Sequence, residues 1–135
     1  MRVSTEIIVR WSDCDSMGHV NNAVYITYME QARIAFFRKF FELKAEERLT
    51  PDHFRFVIAE NSCRYVRPAY VDQPLIVETH VTKVKNSSFV FEYEMKDKLT
   101  GEAVASGHSV QVWFDYKAGK SVPIPEEYRK KLLEE

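Results

Sequence analysis

Residues 5–11 alternate, with Ile7, Val9 and Trp11 on one side and Glu6 and Arg10 among those on the other, which is the period of a half-buried strand. At about residue 22 the period lengthens. Tyr25, Tyr28, Met29, Ala32, Ala35, Phe36, Phe40 and Leu43 recur at helical spacing, while Thr27, Gln31, Arg38 and Glu42 mark a narrow polar stripe. The spacing predicts a helix over 22–43. Ile26, Ile34, Phe37 and Phe41 widen its apolar face until little is left for water, so other elements should wrap it.

The wrapping is predicted downstream. After the break at Thr50-Pro51-Asp52, four β-like segments follow over about 56–66, 75–85, 89–96 and 103–116, with no second helix among them. Asn86-Ser87-Ser88 and Lys98-Leu99-Thr100-Gly101 read as hairpin connections, so the last three segments should pair antiparallel in chain order. Phe89, Phe91, Tyr93 and Met95 alternate with Glu92, Glu94 and Lys96, giving the sheet one dry side to receive the helix. Pro123-Ile124-Pro125, two glutamates and later Lys130 and Lys131 predict a short, solvated capping helix at the end of the chain. The expectation is an α+β fold over residues 1–135: a strand, one long central helix and four strands in a meander, the five strands forming an antiparallel sheet rolled round the helix. Its edge strand needs cover, which a second copy would supply.

Composition narrows the function. A chain of 135 residues with 45% hydrophobic and 29% charged content suits one globular domain. Nineteen basic and 20 acidic residues leave a formal charge of −1, so no general field steers the chain onto nucleic acid or an anionic membrane. No run of about 18 apolar residues occurs, and charges in MRVSTEIIVR interrupt the place of a signal-peptide core, which predicts a cytoplasmic protein. Cys14 and Cys63 stand alone, without disulfide or zinc spacing.

The chemistry is concentrated in Ser12-Asp13-Cys14-Asp15-Ser16-Met17-Gly18-His19-Val20-Asn21-Asn22, between the first strand and the helix. A calcium loop would match Asp13, Asp15 and Gly18, but Met17 and Val24 stand where oxygen ligands belong. Asp13, Asp15 and His19 suggest a transition-metal set that nothing else completes. A Cys14 nucleophile with His19 as base would sit beside two carboxylates that disfavour its thiolate. Asp and Asn also cap turns and helix starts, so these residues alone leave a capped loop and a reactive carboxylate both open.

The pattern as a whole resembles a known family. Asp13-Cys14-Asp15, Gly18-His19-Val20-Asn21-Asn22, then Tyr25, Tyr28, Glu30, Ala32 and Arg33 resemble the hotdog-fold thioesterases of the 4-hydroxybenzoyl-CoA and short-chain acyl-CoA type. Tyr65-Val66-Arg67-Pro68-Ala69-Tyr70 with Asp72, and residues 83–89, extend the resemblance over about 3–115. The His-Val-Asn-Asn string is also similar to one in plant acyl-ACP thioesterases, where an Asn precedes the His by two residues. Met17 stands there in this chain, which favours a simpler single-carboxylate site.

The resemblance implies hydrolysis of an acyl-CoA thioester, with Asp15 as nucleophile or general base. The backbone N–H of Asn22 at the helix start would polarise the carbonyl, and His19 would orient the loop or bond the substrate. Tyr25 is expected to contact substrate. Arg64, Arg67, Lys83 and Lys85, with Ser87 and Ser88, are expected to form a cationic rim for the coenzyme A phosphates. Asp13 is expected to be a structural cap. Glu60 is not assigned to catalysis, and His80 and His108 are read as packing or edge residues. No metal or organic cofactor is expected beyond the coenzyme A part of the substrate. The partners implied are acyl-CoA, a second copy in a homodimer or homotetramer, and, as an alternative, acyl carrier protein. The rival functions are a non-catalytic acyl-thioester binding module and, further off, a hydratase or dehydratase. Acyl-chain specificity is not legible.

Overall fold

In a computed structural model describing residues 1–134, the first strand, β1 (Arg2–Ile8), begins three residues earlier than the alternation suggests. Ile7 and Val9 are buried as expected, but Trp11 is 84% exposed. The chain has left the sheet by then: the Val9 N–H donates to the Gln73 carbonyl at 3.0 Å, and Trp11–Asp13 form a single tight turn. A large apolar side chain at the right spacing is therefore displayed rather than packed.

The central helix, α1 (Val24–Phe40), buries Tyr25, Tyr28, Met29, Ala32, Arg33, Phe36, Phe37 and Phe40. It stops short of the predicted end at residue 43, because Glu42 takes the left-handed conformation at φ 53° and the Leu43 N–H turns back to the Arg38 carbonyl. Thr27 and Gln31 form the solvent stripe, joined by a 47% exposed Ile34.

Four long strands follow: β2 (Phe56–Tyr65), β3 (Pro74–Val84), β4 (Ser88–Asp97) and β5 (Ala103–Asp115). All pairings are antiparallel, in the order β1-β3-β4-β5-β2, and a two-residue β6 (Lys120–Ser121) pairs with β5 to make a sixth strand. The expected meander holds for β3-β4-β5 only. β1 occupies the outer side of β3, so β2 crosses to the far edge beside β5.

Phe89, Phe91, Tyr93 and Met95 all face the helix and are at most 1% exposed. Phe36 meets Phe91 edge-on at 4.6 Å between ring centroids, and burial of each such ring stabilises the fold by about 1.5–3 kcal/mol. Gly107 of β5 lies under the helix. A Cβ there would stand 2.5 Å from the Ser62 carbonyl oxygen and 2.9 Å from Met29 Sδ, so only glycine permits this approach. One polar chain crosses the dry face: Arg33 Nη1 donates to Tyr93 Oη at 3.1 Å, Tyr93 bonds Ser109, and Ser109 bonds Gln111.

The terminal helix, α2 (Glu126–Leu132), is more than a solvated cap. Ile124 and Leu132 are buried, and the Tyr128 ring packs on Phe40, Phe41 and Trp113. It closes the core at the end where α1 stops.

Candidate active site

The loop between β1 and α1 is organised by Asp13. Its side chain is 2% exposed and accepts bonds from the Arg10 N–H at 3.0 Å, Arg10 Nε at 3.2 Å, Arg10 Nη2 at 2.9 Å and the Tyr28 hydroxyl at 2.8 Å. Burial pushes the Asp13 carboxyl up, but the Arg10 and Tyr28 bonds outweigh it and hold the group below its ordinary value. Tyr28 is pushed up, by burial first and then by its bond to this carboxylate. Asp13 is thus the structural member of the carboxylate pair, and its lone pairs are already committed.

Beyond Asp13 the chain forms a miniature hairpin. Cys14 and Val20 bridge, the Asp15 N–H donates to the His19 carbonyl at 3.1 Å, and the Gly18 N–H donates back to the Asp15 carbonyl at 3.0 Å. Gly18 sits at φ +86°, where a side chain is strained. The Val20 N–H donates to the Ala69 carbonyl at 2.8 Å, pinning the hairpin to the crossover that follows β2.

This places Asp15 half-buried, with both carboxylate oxygens engaged. Oδ1 accepts the Met17 N–H at 2.9 Å and Oδ2 accepts Asn21 Nδ2 at 3.1 Å. Asp15 lines two clefts. One, of about 450 Å³, is bounded by Met17, His19, Val20, Asn22, Tyr25, Tyr65, Val66, Arg67 and Pro68; the other, of about 360 Å³, lies among Trp11, Cys14, Ser16, Gly18 and Val71. Apolar walls around one carboxylate and a few polar groups are the usual makeup of a small-molecule site.

Four of the ten residues expected to serve the site, besides Asp15, border the larger cleft. His19 is half-buried, with Nδ1 3.4 Å from the Val20 carbonyl oxygen. Asn22 is exposed; its carbonyl accepts the Tyr65 hydroxyl at 2.7 Å, and among the described residues no bond engages its N–H. Tyr25 is buried as a wall, with its ring edge-on to Tyr65 at 5.1 Å, and burial raises its hydroxyl. Arg67 lies on the rim, ion-paired with Glu102.

The other five do not gather there. Arg64 follows Cys63, whose partner Gly107 faces the helix, so strand alternation turns Arg64 to the opposite face. Lys83, Lys85, Ser87 and Ser88 belong to the β3–β4 hairpin, where Ser88 pairs Val112 and the Trp113 N–H donates to the Ser87 carbonyl. Trp113 pairs Phe56 at the start of β2, whereas the cleft borders Tyr65 at its end, paired with Ala105. The two groups are therefore roughly 25 Å apart along the sheet. The single rim expected from chain order is split within one chain.

The chain pattern assigns no role to Tyr65 or Asn21. Tyr65 reaches the cleft by tertiary contact. Asn21 carries a signal, since an Asn just before an apolar helical run is a capping residue. Its Oδ1 accepts the Ala23 N–H at 2.9 Å. Both cysteines are free and half-buried, and burial raises the Cys63 thiol.

The fold and the comparisons together place the molecule in the thioesterase class. Residues 9–132 match the thioesterase-like superfamily, and the chain belongs to it. It is similar to a solved thioesterase from Thermus thermophilus complexed with coenzyme A and Zn, with 32% identity, TM-score 0.80 and 97% of each chain covered. It is similar also to a predicted thioesterase from Bacillus stearothermophilus, with 30% identity, TM-score 0.84, 98% of this chain and 94% of the other. Among curated proteins, the long-chain acyl-CoA thioesterase FadM of Escherichia coli is 26% identical over 130 residues, covering 96% of each chain. Among the described residues, no helix is long and apolar enough to cross a membrane.

Proposed function

We propose that this protein hydrolyses an acyl-CoA or aroyl-CoA thioester to a carboxylic acid and coenzyme A, with Asp15 as the reacting carboxylate. The observation that carries the reading is the position of Asp15: a half-buried carboxylate on the wall of a largely apolar cleft that also holds the start of α1. As general base, Asp15 takes a proton from water while the water oxygen adds to the thioester carbonyl; collapse breaks the C–S bond, and the leaving thiolate receives the proton. As nucleophile, Asp15 forms a mixed anhydride and expels the thiolate, and water then cleaves the anhydride. In either route the negative oxygen develops near the helix start, where the Asn22 N–H and the helix dipole favour it. The donor belongs to the main chain, so replacing the Asn22 side chain should do little to it. His19 orients the loop or bonds the substrate.

Dimerisation through β2 fits this reading. Among the described residues the outer edge of β2 has no partner strand, and antiparallel pairing with a second copy would lay the start of one β2 beside the end of the other. The second copy's β3–β4 hairpin, with the equivalents of Lys83, Lys85, Ser87 and Ser88, then comes to the same end of the joined sheet as Asp15, Arg64 and Arg67. A phosphate rim built from two chains replaces the one-chain rim. The protein is taken to act in the cytoplasm without a metal or organic cofactor, as a homodimer or a homotetramer.

The test is release of free thiol from a panel of acyl and aroyl coenzyme A thioesters by the protein and by Asp15→Asn, with and without a chelator. Chelator-insensitive turnover that disappears in the variant is expected. A folded protein inert on every substrate supports instead an acyl-thioester or acyl-carrier-protein binding module, and turnover unchanged in Asp15→Asn moves the active centre elsewhere.

A further inference from the structure

We infer that Asn21 is the positioning residue of this site, fixing the Asp15 carboxylate relative to the first peptide units of α1. The inference rests on Asp15 as the reacting group. Each hydrogen-bonding function of Asn21 is used. Its N–H donates to the Asp13 carbonyl at 2.9 Å, and its carbonyl accepts the Val24 N–H at 2.9 Å. Its Oδ1 accepts the Ala23 N–H at 2.9 Å, and its Nδ2 donates to Asp15 Oδ2 at 3.1 Å. The side-chain orientation follows from the donors. A backbone N–H can only donate, so the atom facing Ala23 is oxygen and the atom facing the Asp15 carboxylate is the NH₂.

Few residues can replace it. Asp would cap the helix but set a second carboxylate against Asp15, and Ser would cap it with a hydroxyl too short to reach Asp15 as well. Gln carries an extra methylene that cannot hold both contacts at these lengths. The second oxygen of Asp15 is tied to the Met17 N–H, so removing Asn21 Nδ2 leaves the carboxylate one fixed donor and freedom to rotate about it. Asn22, the next residue, carries the N–H at the helix start. One side chain thus sets the distance between reacting carboxylate and oxyanion donor, a spacing on which rate depends steeply. The other titratable groups bordering the two clefts are His19, Cys14, Tyr25, Tyr65 and Arg67, and none donates to Asp15 among the described residues.

The experiment compares wild type, Asn21→Ser and Asn21→Asp, both of which keep a cap acceptor for Ala23. The χ1 rotamer of Asp15 is read by NMR from three-bond couplings, and kcat and KM for thiol release are measured. In Asn21→Ser the Asp15 couplings are expected to average over rotamers and kcat to fall about 10-fold, with KM within about threefold of wild type. In Asn21→Asp kcat is expected to fall at least as far, because a like-charged carboxylate replaces the donor facing Asp15. If both variants leave the Asp15 rotamer as fixed as in wild type and kcat where it is, or lose only thermal stability, Asn21 is a helix cap alone and the inference is overturned. The NMR arm needs no turnover, so it decides the matter even if Asp15→Asn shows the chemistry to lie elsewhere.

Discussion

Removing the Asp13 carboxylate should unfasten the loop that carries Asp15, and the cost can be worked from its partners. In Asp13→Ala the Tyr28 hydroxyl, on a residue only 1% exposed, loses its acceptor; an unsatisfied buried group costs about 1–3 kcal/mol. The half-buried Arg10 N–H loses its partner too, at about 1 kcal/mol. The Arg10 guanidinium adds little, since its side chain is 66% exposed and returns to water. The sum is about 3 kcal/mol, or a fall in melting temperature of about 10 °C for a chain of this size. Tyr28→Phe alone should cost about 1.5 kcal/mol, because Asp13 keeps its Arg10 bonds. In the double variant the hydroxyl left stranded by Asp13→Ala is gone, so the total should fall to about 1.5 kcal/mol, a coupling of about 3 kcal/mol. Denaturant unfolding at one fixed protein concentration measures all four corners, the concentration mattering if the protein is a dimer. Costs that add to within about 0.5 kcal/mol would refute the buried Tyr28–Asp13 bond as the support of this loop.

Three further perturbations test other parts of the structure. Asp13 and Asp97 are both held below the ordinary carboxylate value, Asp97 mainly by the Thr100 N–H and Gln73. The unfolded chain therefore binds protons more tightly at these groups, and the stability they confer at neutral pH should drain away as pH falls below about 4; Asp13→Ala should flatten that acid limb in urea midpoints measured against pH. Gly107→Ala should cost about 1–3 kcal/mol by chemical denaturation, and trimming Met29 to Ala should not restore it, since the nearer obstacle is the Ser62 carbonyl. Tyr65→Phe frees the Asn22 carbonyl, so kcat is expected to drop about 3- to 10-fold with little change in melting temperature; unchanged kcat would remove Tyr65 from the alignment of the helix start.

What the chain pattern conveyed and what it withheld divide along sequence distance. The four long strands after residue 50 lie within about two residues of their predicted bounds; β3 and β4 repeat an apolar–polar alternation that one buried face of a sheet explains, and β2 is bounded by the break before it and the Pro after it. The loop chemistry was legible for the same reason. Asp13, Asp15, Gly18 and Asn21 act on one another across at most eight positions, so their order along the chain nearly is their geometry. Trp11 misled, since alternation does not reveal where the backbone leaves the sheet. Arg33 carried no local signal of its surroundings. A charged residue on a buried helix face is satisfied by Tyr93, 60 positions away, a partner no local pattern names.

The basic residues show where this kind of reading must stop. Arg64 and Arg67 sit close to Lys83 and Lys85 in the chain, and proximity along a sequence ending in hairpins suggests proximity in space. Yet each antiparallel strand carries the chain back the length of the sheet, so an exit at one end and the next hairpin fall at opposite ends. The same antiparallel rule, applied once more across the free edge of β2, turns the separation into complementarity: the end that lacks Lys83 and Lys85 in one chain is the end to which a second chain would bring its own. The loop chemistry can thus be read within one chain because its contacts are local. The proposed phosphate rim becomes legible only after the strand order is known, and it needs two chains to be complete.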